Sequence, residues 1–189
     1  MRQHVQEDSM TRTLAAALAA ALLVSSAPAA LPLGAKAPDF DTQASLAGKP
    51  MPFSLKQALR KGPVVLYFYP AAFTKGCTIE AHDFAEATDD FQKLGATVVG
   101  MSADPIDKLN QFSVQECRNK FAVGSASAGV IKAYDVVLPL KPSISNRTSY
   151  VIAPDGKVIF AYSAMDPAGH VTGTMDAVKA WRAKHPAKG

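Results

Sequence analysis

The run Val64-Val65-Leu66-Tyr67-Phe68-Tyr69 is apolar throughout, prone to β structure, and fenced by Pro63 and Pro70. Alternating polarity would mean a strand with one wet face; an unbroken apolar run means a strand buried on both. Such a strand needs helices above and below it. The following sequence supplies them. A loop with Pro and Gly leads into residues 77–94, where Phe84, Ala87, Phe91 and Leu94 recur on one helical stripe, and Gly95 ends the segment. Residues 96–101 form a second buried strand. Asp104-Pro105 reads as the cap and first turn of a helix reaching about Cys117, with Ile106, Leu109 and Phe112 as its apolar face.

Further on, residues 121–123 are expected as a short strand and 130–134 as a short helix. Residues 148–152 and 157–162 pair as a hairpin around Pro154-Asp155-Gly156, and 171–184 form a last helix. Ahead of the central strand, residues 31–50 are rich in Pro, Gly and Ala and read as irregular. Residues 51–55 read as a short strand, and Ser54 precedes a helical turn over 55–60. No internal repeat is present. The order predicts an α/β fold, a central mixed β-sheet flanked by helices on both faces.

The first 29 residues have a different character. Met10-Thr11-Arg12 precedes an apolar stretch of 11 residues, 14–24, and a small-residue A-x-A site at Ala27-Pro28-Ala29. Those are the three parts of a secretory signal peptide, with cleavage expected after Ala29 or Ala30. Glu7 and Asp8 would spoil the basic start, so Met10 is the expected first residue. The stretch is too short to span a bilayer, which takes about 20 residues. Residues 1–29 are thus read as a leader and 31–189 as a single domain, periplasmic or secreted and not held in a membrane.

Composition narrows the class further. A chain of 189 residues, 48% apolar and 19% charged, is an ordinary globular protein with no room for two full catalytic domains. Its net charge of +4 comes from scattered residues such as Lys36, Lys49, Lys56, Arg60, Lys61 and Lys75. Without a basic run or patch, no nucleic-acid partner is expected.

The chemistry concentrates in Pro70-Ala71-Ala72-Phe73-Thr74-Lys75-Gly76-Cys77. A buried strand feeds a loop, and the loop opens a helix with Cys77 in its first turn. Free N–H groups and the positive end of the helix dipole favour an anion there, so the thiol is expected to reach its nucleophilic thiolate form readily. Thr74 offers a hydroxyl able to donate and accept. Pro70 ends the strand and stiffens the loop. The end of a strand is also where α/β folds place their clefts.

Pro70-x-x-x-Thr74-x-x-Cys77 resembles the active-site motif of the peroxiredoxin family. The aromatic strand before it and Glu80 after it resemble the Q-type branch, the bacterioferritin-comigratory proteins. The resemblance covers residues 35–183 and implies a thioredoxin-like fold and a thiol-dependent peroxidase. It also implies an arginine at the start of a later strand, which Arg147 matches in Asn146-Arg147-Thr148. Cys77 would then attack a peroxide held by Thr74 and Arg147 and become a sulfenic acid. Many Q-type members carry a resolving cysteine five residues after the first, but His82 stands there. The other thiol is Cys117, 40 residues downstream, in the helix where some members place theirs. The resemblance therefore implies a Cys77–Cys117 disulfide, reduced by a thioredoxin-like donor, in a monomer or weak dimer. It implies no metal, haem or flavin.

Other readings stay open at this point. The two cysteines would also suit a structural disulfide in an exported protein. Cys117 would suit an ordinary buried thiol in a one-cysteine enzyme. A non-enzymatic redox or metal-binding module on the same fold is a further alternative, although Ala81 stands where a metallochaperone would want its second thiol. A disulfide oxidoreductase would want Cys-x-x-Cys, and Glu80 occupies that place. Glu80 itself is expected as a dipole partner or loop brace, and His82, His170 and His185 carry no assigned role.

Overall fold

A computed structural model describes residues 30–186. The elements are β1 (Asp41–Leu46), β2 (Lys49–Ser54), α1 (Leu55–Leu59), β3 (Val64–Phe68), α2 (Lys75–Lys93), β4 (Thr97–Ser102), α3 (Ile106–Gln115), β5 (Ala122–Ser125), α4 (Ala128–Ala133), β6 (Val137–Leu138), β7 (Lys141–Ser145), β8 (Thr148–Ile152), β9 (Val158–Ser163) and α5 (His170–Lys184). The leader reading of residues 1–29 lies outside the described residues. Among those described, no helix is long and apolar enough to cross a membrane.

Seven strands form one mixed sheet in the order β2-β1-β5-β4-β3-β8-β9, and β6 and β7 pair separately. β3, β4 and β5 run parallel, while β8 pairs antiparallel with β3 and β1 antiparallel with β5. The apolar run in β3 explains itself here. Val64, Leu66 and Phe68 point into one core, with Leu55 and Leu59 of α1 and Ile131 of α4. Val65, Tyr67 and then Tyr69 point into the other, with Phe84 and Phe91 of α2, Leu109 and Phe112 of α3, and Val178 of α5. Strand alternation thus divides one hydrophobic segment between two cores. Each fully buried aromatic there contributes about 1.5–3 kcal/mol of transfer free energy.

Three segments depart from expectation. The irregular stretch 31–50 contains β1 and the start of β2, a hairpin in which Asp41 faces Ser54 and Leu46 faces Lys49. Pro50 and Pro52 sit in β2, an edge strand, where a missing N–H breaks no interior ladder. β6 and β7 were not expected at all; Pro139 and Pro142 mask them, and most of β7 is exposed. Asp104 was expected to cap α3, yet Pro105 is the N-cap residue and no side chain caps the helix. The reason is that the Asp104 carboxylate is engaged elsewhere, by the loop ahead of α2.

Candidate active site

The loop from Pro70 to Thr74 is fixed before any ligand arrives. Ahead of it, the Tyr69 N–H donates to the Met101 carbonyl at 3.0 Å, and the Tyr69 carbonyl accepts from the Ser145 hydroxyl at 2.9 Å. The Ala72 N–H donates to Asp104 Oδ2 at 2.7 Å. Asp104 is held in turn by the Ser102 hydroxyl at 2.8 Å and Lys108 Nζ at 2.7 Å. Phe73 takes a left-handed backbone with φ 66°, which strains a residue bearing a Cβ, and its ring meets Phe112 edge-on at 5.2 Å. Pro70 is half-buried just past the end of β3.

Thr74 is the N-cap residue of α2, and its side chain makes no capping bond. Its hydroxyl donates instead to the Ala71 carbonyl at 2.9 Å, which leaves the oxygen exposed with its lone pairs free. Three residues on, Cys77 lies in the first turn of α2 and is 1% exposed. The helix starts two residues before the expected Cys77, at Lys75. Cys77 therefore sits two positions deeper in the first turn, still among the unpaired N–H groups.

Arg147 comes from the opposite side of the site, immediately before β8, and is 3% exposed. Its three kinds of N–H each have a separate partner. Nη2 faces Cys77 Sγ at 3.4 Å, Nη1 pairs with Glu80 Oε2, and Nε donates to the Met165 carbonyl at 3.0 Å. Gly76 makes the approach possible, since a Cβ there would stand 2.9 Å from Nη2. Burial works against the charge on Arg147, but Glu80 and then Cys77 outweigh it and raise its pKa. Glu80 is fully buried, and burial pushes its carboxyl up to about 8 against the opposing pull of Arg147. Glu80 Oε1 is buried without a hydrogen-bond partner, 3.6 Å from His170 Nδ1.

Cys77, Arg147 and Glu80 are thus brought together, and Thr74 stands at the head of the same turn. Glu80 is more than a first-turn dipole partner: it holds the guanidinium. His170 and Asp104 belong to the same construction and escaped the sequence reading. An acid next to a proline reads locally as a cap, and a lone histidine near the end of the chain has no local signature.

Cys117 is elsewhere. It follows the end of α3, is fully buried, and like Cys77 is a free thiol. Both sulfurs belong to the same core, with Tyr67, Tyr69, Phe84 and Phe112. Burial, and then the neighbouring Cys117, push the Tyr67 and Tyr69 hydroxyls well above the usual range. The Cys117 thiol is raised too, by burial and then by Glu116. The segment around Cys117 is tied to α2 by a His82–Glu116 contact at 2.7 Å and two ion pairs, Glu86–Arg118 at 3.1 Å and Asp89–Lys120 at 2.9 Å. Arg118 and Asn119 both have left-handed backbones, with φ 51° and 59°. Among the described residues, no group of three or more His, Cys, Asp or Glu side chains is arranged to hold a metal ion.

Comparison with known proteins shows the family to which the chain belongs. Residues 33–161 match the model of the AhpC/TSA family. Peroxiredoxin Bcp of Xanthomonas campestris is 30% identical over 122 residues, 62% of this chain and 76% of that protein. Chloroplastic peroxiredoxin Q of Sedum lineare is 31% identical over 136 residues, 67% of this chain and 73% of that protein. Among solved structures, peroxidoxin BcpB of Mycobacterium tuberculosis superposes with a TM-score of 0.72 at 31% identity, covering 79% of this chain and 97% of that one. The sheet order and flanking helices are those of a thioredoxin-like fold. The chain belongs to the AhpC/TSA family and is a peroxiredoxin, a thiol peroxidase similar to the Q-type, Bcp-named branch.

Proposed function

We propose that Cys77 is the peroxidatic thiol. The observation that carries this reading is the approach of Arg147 Nη2 to Cys77 Sγ at 3.4 Å, at the start of a helix. A guanidinium that cannot deprotonate and the free N–H groups of a first turn both attract an anion at that sulfur. The thiolate attacks one oxygen of a hydroperoxide. An S–O bond forms as the O–O bond breaks, sulfur loses two electrons, and the other oxygen leaves as water or an alcohol once protonated. Arg147 is placed to donate to the oxygen on which charge grows, while the exposed Thr74 hydroxyl, its own proton given to the Ala71 carbonyl, is placed to accept from the hydroperoxide O–H. Pro70 holds the loop in which this happens.

In the second half of the cycle the Cys117 thiol condenses with the sulfenic acid, forming the disulfide and releasing water. A thioredoxin-like dithiol then restores both thiols by exchange. Both cysteines are buried, and a relaxed disulfide needs Cα atoms within about 7 Å, so this reading has the two meet through local unwinding around Cys77 or Cys117. The burial of Cys117 also supports a second reading, in which an external thiol resolves the sulfenic acid. Mass spectrometry after one equivalent of peroxide separates the two: a Cys77–Cys117 bridge, or a persistent sulfenic acid.

The test of the main reading is Cys77→Ser, which is expected to abolish thiol-dependent peroxide consumption; unchanged turnover sinks it. The leader-like residues 10–29 support export to the periplasm or beyond, after which the domain acts as a monomer or weak dimer. N-terminal sequencing of the protein from an envelope fraction and light scattering of the purified chain test these two points.

A further inference from the structure

His170 is the first residue of α5 and is fully buried, yet it plays no part in the chemistry described so far. Its ring nitrogens are both occupied. Nε2 lies 3.0 Å from the Ala164 carbonyl, and Nδ1 lies 2.8 Å from the Ser149 hydroxyl. A carbonyl can only accept, so Nε2 carries the proton. Nδ1 then offers a lone pair, and Ser149 donates to it. The ring is neutral and locked in one tautomer. Burial supports this state, pushing His170 down to about 4.

Both contacts lead back to Arg147. The Ala164 N–H donates to the Arg147 carbonyl at 3.2 Å, and the next residue, Met165, supplies the carbonyl that accepts from Arg147 Nε. By gripping the Ala164 carbonyl, His170 fixes the turn that fixes the guanidinium. On its other side, Nδ1 faces Glu80 Oε1 at 3.6 Å. With its lone pair taken by Ser149, Nδ1 gives Glu80 no hydrogen bond, and the carboxyl group keeps Arg147 as its one partner. A cationic ring would offer an N–H at Nδ1 and compete with Arg147 for that carboxylate. Tyr162 packs edge-on against the ring at 4.8 Å and limits its tilt.

We propose that His170 is a positioning residue for Arg147, a neutral ring that anchors the Ala164–Met165 turn and leaves Glu80 to the guanidinium, so that Nη2 stays aimed at Cys77. This rests on the reading of Cys77 as the peroxidatic thiol. It acts on the first half of the cycle and leaves resolution by Cys117 untouched.

The experiment is stopped-flow measurement of sulfenic acid formation at Cys77 with hydrogen peroxide, for the wild type, His170→Ala, His170→Gln and Ser149→Ala. Small displacements of a reacting group cost up to about 100-fold, so His170→Ala is expected to slow the reaction by about 10- to 100-fold. His170→Gln restores an N–H able to reach the Ala164 carbonyl and is expected to recover most of the loss. A purely packing role predicts no such recovery, because Gln fills the ring's space poorly. A wild-type rate in His170→Ala overturns the proposal, as does a His170→Gln variant no faster than His170→Ala. If His170→Ala does not fold, Ser149→Ala decides: severalfold slowing supports the proposal, and an unchanged rate overturns it. A wild-type protein that forms no sulfenic acid at Cys77 would instead refute the reading of that thiol.

Discussion

The His82 imidazole lies 2.7 Å from the Glu116 carboxylate, so the residue five places after Cys77 holds the residue just before Cys117. Glu86–Arg118 and Asp89–Lys120 continue the contact along α2, at 3.1 and 2.9 Å. Partly exposed pairs of this kind each contribute about 0.2–1 kcal/mol and weaken in salt. On the proposed resolution by Cys117, they hold its segment only weakly, and the left-handed backbone of Arg118 adds local strain there. Removing the Glu116 charge in Glu116→Gln is expected to speed Cys77–Cys117 disulfide formation about two- to fivefold, followed by rapid acid quench and mass spectrometry. The triple variant with Glu86→Gln and Asp89→Asn should be faster still. A triple variant with the wild-type rate would show that these pairs do not control the opening.

Gly76 governs the distance between the charge and the sulfur. A Cβ at 76 would stand 2.9 Å from Arg147 Nη2, whose guanidinium is pinned by Glu80 and the Met165 carbonyl. Gly76→Ala is therefore expected to lower the rate constant with peroxide by about tenfold while melting within a few degrees of the wild type. Arg147→Lys keeps a charge but loses the fork that serves three partners, and should fall further, by about 100-fold. Competition kinetics against a reference peroxidase measures both; equal rates in Gly76→Ala and wild type would show that this spacing is not critical.

Two buried groups set opposing pH dependences. Glu80 is raised from 4.5 to about 8, so the stability it contributes is complete below pH 4.5 and lost as pH rises through about 8. His170 is lowered from 6.5 to about 4, so its contribution is complete above pH 6.5 and lost as pH falls through about 4. Between pH 4.5 and 6.5 the folded state carries one proton more on Glu80 and one fewer on His170, and the two slopes cancel. Above pH 6.5 Glu80 acts alone, with a slope of about 1.4 kcal/mol per pH unit. Denaturant melts across this range are expected to show the plateau and the decline. Glu80→Gln should flatten the decline, and His170→Gln should turn the plateau into a slope. A plateau unchanged in His170→Gln counts against this assignment.

Cys117 fills core volume as well as offering a thiol. Cys117→Ala is expected to cost about 1 kcal/mol in stability for the small void it leaves. It should still form sulfenic acid at Cys77 at the wild-type rate, and lose turnover with a thioredoxin-like donor by more than about tenfold while small thiols still sustain it. Full turnover with the protein donor would assign resolution to an external thiol.

The parts of the fold that were legible in sequence are those whose information is local. β3 is an unbroken apolar run, β4 a mostly apolar one around Val98-Val99, α2 shows its stripe, and Pro154-Asp155-Gly156 marks the turn of the last hairpin. The β1–β2 hairpin was hidden because prolines forbid interior strands but not edge strands, and an edge position is a property of the whole sheet. The site divides in the same way. Cys77, Thr74 and Pro70 share one short motif. The brace of Asp104 on Ala72 spans 32 positions, and that of His170 on Ser149 spans 21. No window of sequence contains either pair, and only the folded chain brings them into contact.

The central sheet places both cysteines on one side, with α2, α3 and α5, and neither on the side of Phe40, Phe68, Tyr134 and Tyr150. On the proposed Cys77–Cys117 cycle, rearrangement is confined to that half of the interior, and the other half serves as a fixed anvil. Thermostabilising changes directed at the anvil should harden the protein without slowing its cycle, whereas equally favourable changes on the side of the cysteines would trade speed for rigidity.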